Sequence, residues 1–194
     1  MSGENQLDKK RLILEKALEV FTEKDYQHAT VDEIAEKAEI GKGTVYRYFK
    51  NKEELYLELL ELAAQARREI IQENIRMIED LRGKLGRFVI ALLRFTKNQP
   101  QYFKILTAEV GAGNADFSLK VKTVQNEHQE ILRQLLTEGV RQNKFREMNP
   151  FIASVYLNKL IEGALQIFER EPSLSADQIV LTMLDLIWNG LGKK

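Results

Sequence analysis

The chain has 194 residues, 44% hydrophobic and 30% charged, with 29 basic and 29 acidic residues and no cysteine. That length suits one large or two small domains, and the missing cysteines exclude disulfides, thiolate metal sites and cysteine nucleophiles. Zero net charge argues against a protein that coats nucleic acid through overall charge, while permitting a local basic footprint.

Only three prolines and 11 glycines interrupt the chain, which favours long helices over a turn-rich β fold. The opening "MSGENQLDKKR" is polar and unlike a signal peptide. The longest apolar segments, around 88–95 and 179–188, are too short to span a bilayer. An intracellular, cytoplasmic protein with no membrane partner is expected.

Taken in order, Leu14, Ala17, Leu18 and Phe21 share one face of a first helix, about 9–24. "TVDE" then supplies a capping box in which Thr30 and Glu33 satisfy each other's backbone N–H, opening a short helix over 31–38. The link "EIG" follows, with Gly41 able to take the positive φ or the cap position of a tight turn. A third helix covers 42–49. Asn51 and Glu54 start a fourth at Lys52, which runs to about Asp80 with no Gly or Pro. Further helices are expected at 84–97, 101–110 and 116–142. Asn149 with Pro150 opens another at 150–169, and Ser175 with Gln178 opens the last at 176–190. The fold class is all-α, with about nine helices and no strand.

Charge is distributed unevenly. Residues 1–52 hold ten basic and ten acidic side chains, yet residues 40–52 hold Lys42, Arg47, Lys50 and Lys52 without one acid. Helix 31–38, a tight turn and helix 42–49 fit a helix-turn-helix, whose second helix enters the DNA major groove. Val45 and Phe49 face inward, leaving Lys42, Gly43, Thr44 and Arg47 outward, with Tyr46 and Tyr48 beside them. Arg47 can bond guanine O6 and N7, and Lys42 a base edge or phosphate. Thr44 and the tyrosine hydroxyls suit phosphates. Gly43 lets the helix start approach the groove wall. Lys52 and the free N–H groups of the helix it opens can hold a phosphate.

"TVDEIAEKAEIGKGTVYRYFKNKEEL" closely resembles the DNA-binding motif of the TetR family of bacterial transcriptional repressors. Gly43, Thr44, Val45, Tyr46, Tyr48, Phe49, Lys52 and Leu55 match its spaced pattern, and "RLILEKALEVFTEKDYQHATV" resembles the family's first helix. The likeness covers roughly residues 8–56. Many members have Ser where Gly41 stands, so a side-chain cap is absent here. The resemblance implies DNA contacts by Thr30, Lys42, Gly43, Thr44, Tyr46, Arg47, Tyr48 and Lys52, with Arg47 as the base reader. It also implies a helix-turn-helix DNA-binding domain at 1–52. A long helix would join this to a helical ligand-binding and dimerisation domain at 53–194.

On that architecture the last two helices form a two-fold dimer surface, with Leu157, Ile161, Leu165, Phe168, Met183 and Ile187 in the interface. An effector would be a hydrophobic or amphipathic small molecule. Its candidate pocket is lined by Phe88, Leu92, Phe95, Tyr102, Phe103, Leu106, Phe117, Val121, Gln125 and Tyr156, residue types that a plain core also explains. Expected partners are a pseudo-palindromic double-stranded operator, a second copy of the chain and that effector, with no cofactor. The alternative is a DNA-bound docking protein that recruits a protein partner without an inducer. An enzyme is disfavoured: His28 and His128 are far apart, no acid cluster has metal-ligand spacing, and no serine sits in a nucleophile elbow. "EVGAGNADF" has too few glycines at the right spacing for a phosphate loop.

Overall fold

The computed structural model describes residues 2–111 and 115–191, and every regular element among them is a helix. These are α1 (Ser2–Glu23), α2 (Val31–Lys37), α3 (Lys42–Tyr48), α4 (Lys52–Ile75), α5 (Leu81–Asn98), α6 (Pro100–Thr107), α7 (Ala115–Gln125), α8 (Glu127–Arg141), α9 (Pro150–Arg170) and α10 (Ala176–Leu191). The all-α class holds. The described helices number ten rather than nine because the segment expected over 116–142 breaks at Asn126, whose side chain makes no cap. The "GAGN" stop falls largely on 112–114, outside the described residues.

Helix starts follow local chemistry. Thr30 Oγ accepts from Glu33 N–H at 3.3 Å while Glu33 Oε2 accepts from Thr30 N–H at 3.0 Å. Ser175 and Gln178 do the same at 3.2 and 2.9 Å, and Asn149 Oδ1 accepts from Phe151 and Ile152 N–H with Pro150 at the first position.

The chain packs as two compact units, residues 1–65 with 99–125, and residues 66–98 with 126–194. In the first, α1 buries Ile13, Leu14, Ala17, Val20 and Phe21, and α2 and α3 add Ile34, Ala35 and Val45. An aromatic cluster closes it. The Tyr56 ring meets Phe21 edge-on at 5.1 Å and Tyr26 at 4.8 Å, and Tyr26 meets Phe117 of α7 at 5.1 Å. Burial pushes both tyrosine hydroxyls up to about 12. Helix α6 is tied in as well: Lys104 Nζ donates to the Thr22 carbonyl at the end of α1, and Tyr56 Oη to the Ile105 carbonyl.

The second unit centres on Phe88, Val89, Leu92, Leu132, Leu136, Leu157, Ile161, Met183 and Ile187. Gly139 marks its tightest approach, because a Cβ there would lie 2.4 Å from Phe145 Cδ2 and 2.5 Å from Leu81 Cδ2. The Phe145 ring so placed meets Trp188 at 5.3 Å. Between α8 and α9 runs a polar seam: His128 Nε2 bonds Asn158 Oδ1 at 2.8 Å, and Gln129 Nε2 donates to Ser154 Oγ at 3.4 Å. Burial also lowers the pKa of Arg67, on α4, to about 10.

Candidate nucleic-acid interface

The turn between α2 and α3 fixes how α3 is presented. Helix α2 ends in a Schellman motif: Ile40 N–H reaches the Ala35 carbonyl and Glu39 N–H the Glu36 carbonyl, each at 3.0 Å. The left-handed position this motif needs is filled by Glu39, at φ 54°. The sequence pointed to Gly41 for a positive φ or a cap. The cap is its role, at φ −68° and ψ 142°, with its carbonyl accepting from Thr44 N–H at 2.8 Å. A non-glycine residue in the left-handed region costs about 1–2 kcal/mol, offset here by two bonds to carbonyls otherwise left open.

Helix α3 buries Val45 at 1% exposure, and its C-cap Phe49 is equally covered. This holds the helix against the core. Lys42, Gly43, Tyr46 and Arg47 are exposed, and Thr44 and Tyr48 are half-buried. Thr30 is exposed at the start of α2, where its hydroxyl already serves the capping box. Arg47 makes no ion pair or hydrogen bond among the described residues. The ridge thus offers a guanidinium, hydroxyls and an ammonium side by side, the donor set that suits phosphates and guanine edges.

Three features of this ridge were not readable from the sequence. First, an acid does reach it: Asp32 bonds Lys42 Nζ at 2.8 Å, and that bond raises the lysine's pKa. Second, Lys52 is engaged inside the chain. Its ammonium donates to the Tyr26 and Ala29 carbonyls at 2.8 and 3.0 Å and lies 4.4 Å from the Tyr26 ring centroid. Third, a Cβ added at Gly43 meets nothing within 4 Å, and its φ is not positive.

The glycine is therefore not demanded by the chain's own packing. Ala at Gly43 is expected to keep or raise the melting temperature, since glycine inside a helix costs up to about 1 kcal/mol relative to alanine. If close approach to a groove wall is its use, the same variant binds duplex DNA more weakly. Thermal unfolding alongside fluorescence anisotropy separates the two effects, and unchanged binding would remove Gly43 from the interface.

The other candidate residues fall in both units. Phe88, Leu92 and Phe95 are buried on α5 in the second unit. Tyr102, Phe103 and Leu106 on α6, with Phe117 and Val121 on α7, belong to the first. Gln125, at the end of α7, donates to the Ala108 carbonyl at 2.9 Å. Tyr156 is 71% exposed on α9, beside Ile152, Leu160 and Leu186 along one groove.

The residues named for a dimer surface are also placed differently. Leu157, Ile161, Met183 and Ile187 are core residues of their own chain, with Leu165 and Phe168 packed against them. What α9 and α10 leave open is a second apolar line, Ile152, Tyr156, Leu160, Ile167 and Leu186. Both helices carry more apolar surface than one buried stripe takes up, and sequence periodicity does not say which line faces inward. His28 bonds Asp25 at 2.7 Å and is exposed, and no metal-binding cluster occurs among the described residues. No described helix is long and apolar enough to cross a membrane.

Residues 13–59 match the family described as bacterial regulatory proteins of the tetR family, and residues 79–191 match the tetracyclin repressor-like C-terminal domain. The HTH-type transcriptional regulator YhgD of Bacillus subtilis is 25% identical over 174 residues, 89% of this chain and 91% of its own. The fatty acid metabolism regulator protein of the same organism is 26% identical over 135 residues, 70% of each chain. The crystal structure of FadR from Bacillus subtilis in complex with stearoyl-CoA has a TM-score of 0.79 at 22% identity, covering 93% of this chain and 98% of that one. With matches at both ends and a helix-turn-helix where the first of them falls, the chain belongs to the TetR family of DNA-binding transcriptional regulators.

Proposed function

We propose that the protein is a homodimeric repressor that leaves its operator when a long-chain acyl thioester or a similar amphiphile binds. The observation that carries the DNA-reading half is the α3 ridge, where Arg47 stands exposed and unpaired among hydroxyl donors. By this reading Thr30, Lys42, Gly43, Thr44, Tyr46, Arg47, Tyr48 and Lys52 meet DNA, residues 1–52 form the reading head, and the remainder handles effector and dimer contacts. Pairing through the exposed apolar line of α9 and α10 would set two heads about one helical turn apart, roughly 34–36 Å, on a pseudo-palindrome.

The effector class draws on the relatives: one is named for fatty acid metabolism, and a structure of the same fold was solved with stearoyl-CoA. Operator fragments obtained by in vitro selection provide the test. Stearoyl-CoA at micromolar concentration is expected to release the protein from a selected operator, while free coenzyme A is not. Retention on DNA with every acyl chain length would sink the inducer and leave a docking protein that recruits a partner.

A further inference from the structure

One carboxylate in the second unit serves two guanidinium groups. Arg67 and Arg68 follow each other on α4, Glu127 is the first residue of α8, and all three belong to this unit. Both Glu127 oxygens lie on Arg68 Nη2, at 2.8 and 2.9 Å. Arg67 is 6% exposed. Burial opposes its charge most, Glu127 supports it, and Arg68 opposes it again. Hydrogen bonds to neutral groups can seat Arg67 without cancelling that charge. The cluster therefore sets two positive charges against one negative, with one of the cations buried.

A second observation does not depend on counting charges. Arg68 Nε is buried and makes no hydrogen bond among the described residues, although Nη2 of the same side chain donates twice. An N–H on a cation is costly to bury without an acceptor, and its strongest complement is the oxygen of an anion. The start of α8 adds a field of the same sign, because the positive end of the helix dipole lies there and the Asn126 side chain makes no cap. The other carboxylate of that turn, Glu130, is occupied by Arg133, which bonds its two oxygens at 2.7 and 2.5 Å. Arg68, with 41% of its side chain exposed, keeps the cluster open to solvent at one end.

We propose that Arg67 and Arg68, beside the start of α8, form a seat for an oxyanion carried by the effector: the carboxylate of a long-chain fatty acid or a phosphate of a coenzyme A head. The proposal rests on the amphiphilic-effector reading above and adds the sign of the head group to it. The Arg68 Nε–H donates to the oxyanion, whose charge offsets that of Arg67. Glu127 holds Arg68 in place and competes with the incoming anion. A charged head is therefore preferred over a neutral one on the same chain.

The test uses the full-length protein, isothermal titration calorimetry and three ligands with the same acyl chain length: stearate, stearoyl-CoA and uncharged stearyl alcohol. Wild-type protein is expected to bind at least one of the two anions about tenfold tighter than the alcohol, the worth of one charge-assisted hydrogen bond. Arg68→Gln leaves a neutral Arg67–Glu127 pair and should bring that anion down to the alcohol's affinity. Glu127→Gln removes the competing carboxylate and should tighten the anion instead. Opposite signs separate a binding seat from a structural ion pair, whose two halves act alike when removed. The anion that responds identifies the source as carboxylate or phosphate.

Inorganic phosphate at constant ionic strength probes the seat without an acyl chain. It should raise the melting temperature of the wild type, raise that of Glu127→Gln further, and leave that of Arg68→Gln in place. Equal affinity for the alcohol and both anions, or shifts of the same sign in Arg68→Gln and Glu127→Gln, would overturn the proposal. So would indifference to phosphate in a protein that binds none of the three ligands. Anions bound with the expected signs but without release from a selected operator would instead overturn the inducer reading and leave the seat standing.

Discussion

Replacing Leu160 and Leu186 together by glutamate should yield a folded monomer that no longer holds an operator. In the single chain these side chains are 46% and 63% exposed, so the changes cost the protomer little. Ile161 and Ile187, one position along, are buried in the core, and charging them would unfold it. In the proposed dimer the double variant would bury carboxylates from both copies against a largely apolar face, at several kcal/mol per buried charge. Operator binding should fall with the dimer. Two linked heads gain about 10²–10⁴ in affinity over one, and a monomer forfeits that gain. Analytical ultracentrifugation reads the first effect, anisotropy on a selected operator the second, and far-UV circular dichroism checks the fold. A variant still dimeric at micromolar concentration would move the interface away from this face.

Arg47→Ala is expected to cost about 1–3 kcal/mol of discrimination at one base position, or roughly tenfold to a hundredfold in preference. The side chain stands exposed on α3, between Tyr46 and Tyr48 and two residues past the buried Val45. Since nothing in the chain depends on it, its loss should leave the melting temperature unchanged. The loss should also concentrate at one position of the operator rather than weaken all sequences alike. Parallel selection with wild-type and variant proteins reveals it as a single relaxed column in the recovered sites. Identical operator preferences would remove Arg47 from base readout.

How much of this was legible in the sequence depended on how local the physics was. Capping boxes at Thr30 and Ser175 and the Asn149–Pro150 start involve partners no more than three residues apart, and each formed as the residues indicated. The helix-turn-helix followed from such signals together with the Val45 and Phe49 register. Lys52 escaped because its partners are backbone carbonyls 23 and 26 positions away, which no side-chain pattern encodes. The residues named for a dimer surface lie on α9 and α10, but Leu157, Ile161, Met183 and Ile187 belong to the chain's own core. Leu157 and Ile161 on one side and Tyr156 and Leu160 on the other share the same four-residue spacing. Only packing against α5, α8 and α10 decides which pair turns inward. Likewise, Phe117 read as pocket lining because an aromatic ring looks alike in a cavity and in a core. Its neighbours Tyr26 and Tyr56 show that it closes the aromatic cluster of the first unit.

The Asp32–Lys42 bond has a kinetic consequence under the proposed contacts. Before Lys42 can engage any phosphate it must leave a carboxylate 2.8 Å away, and that carboxylate then remains near the DNA. Both events are independent of sequence, so they subtract equally from every encounter along a chromosome. An encounter with the wrong site has nothing to set against that loss and ends sooner. At the right site, base contacts by Arg47 supply the difference. A protein so built spends less time detained on random DNA, and its search shortens because its own acid competes with the backbone it scans.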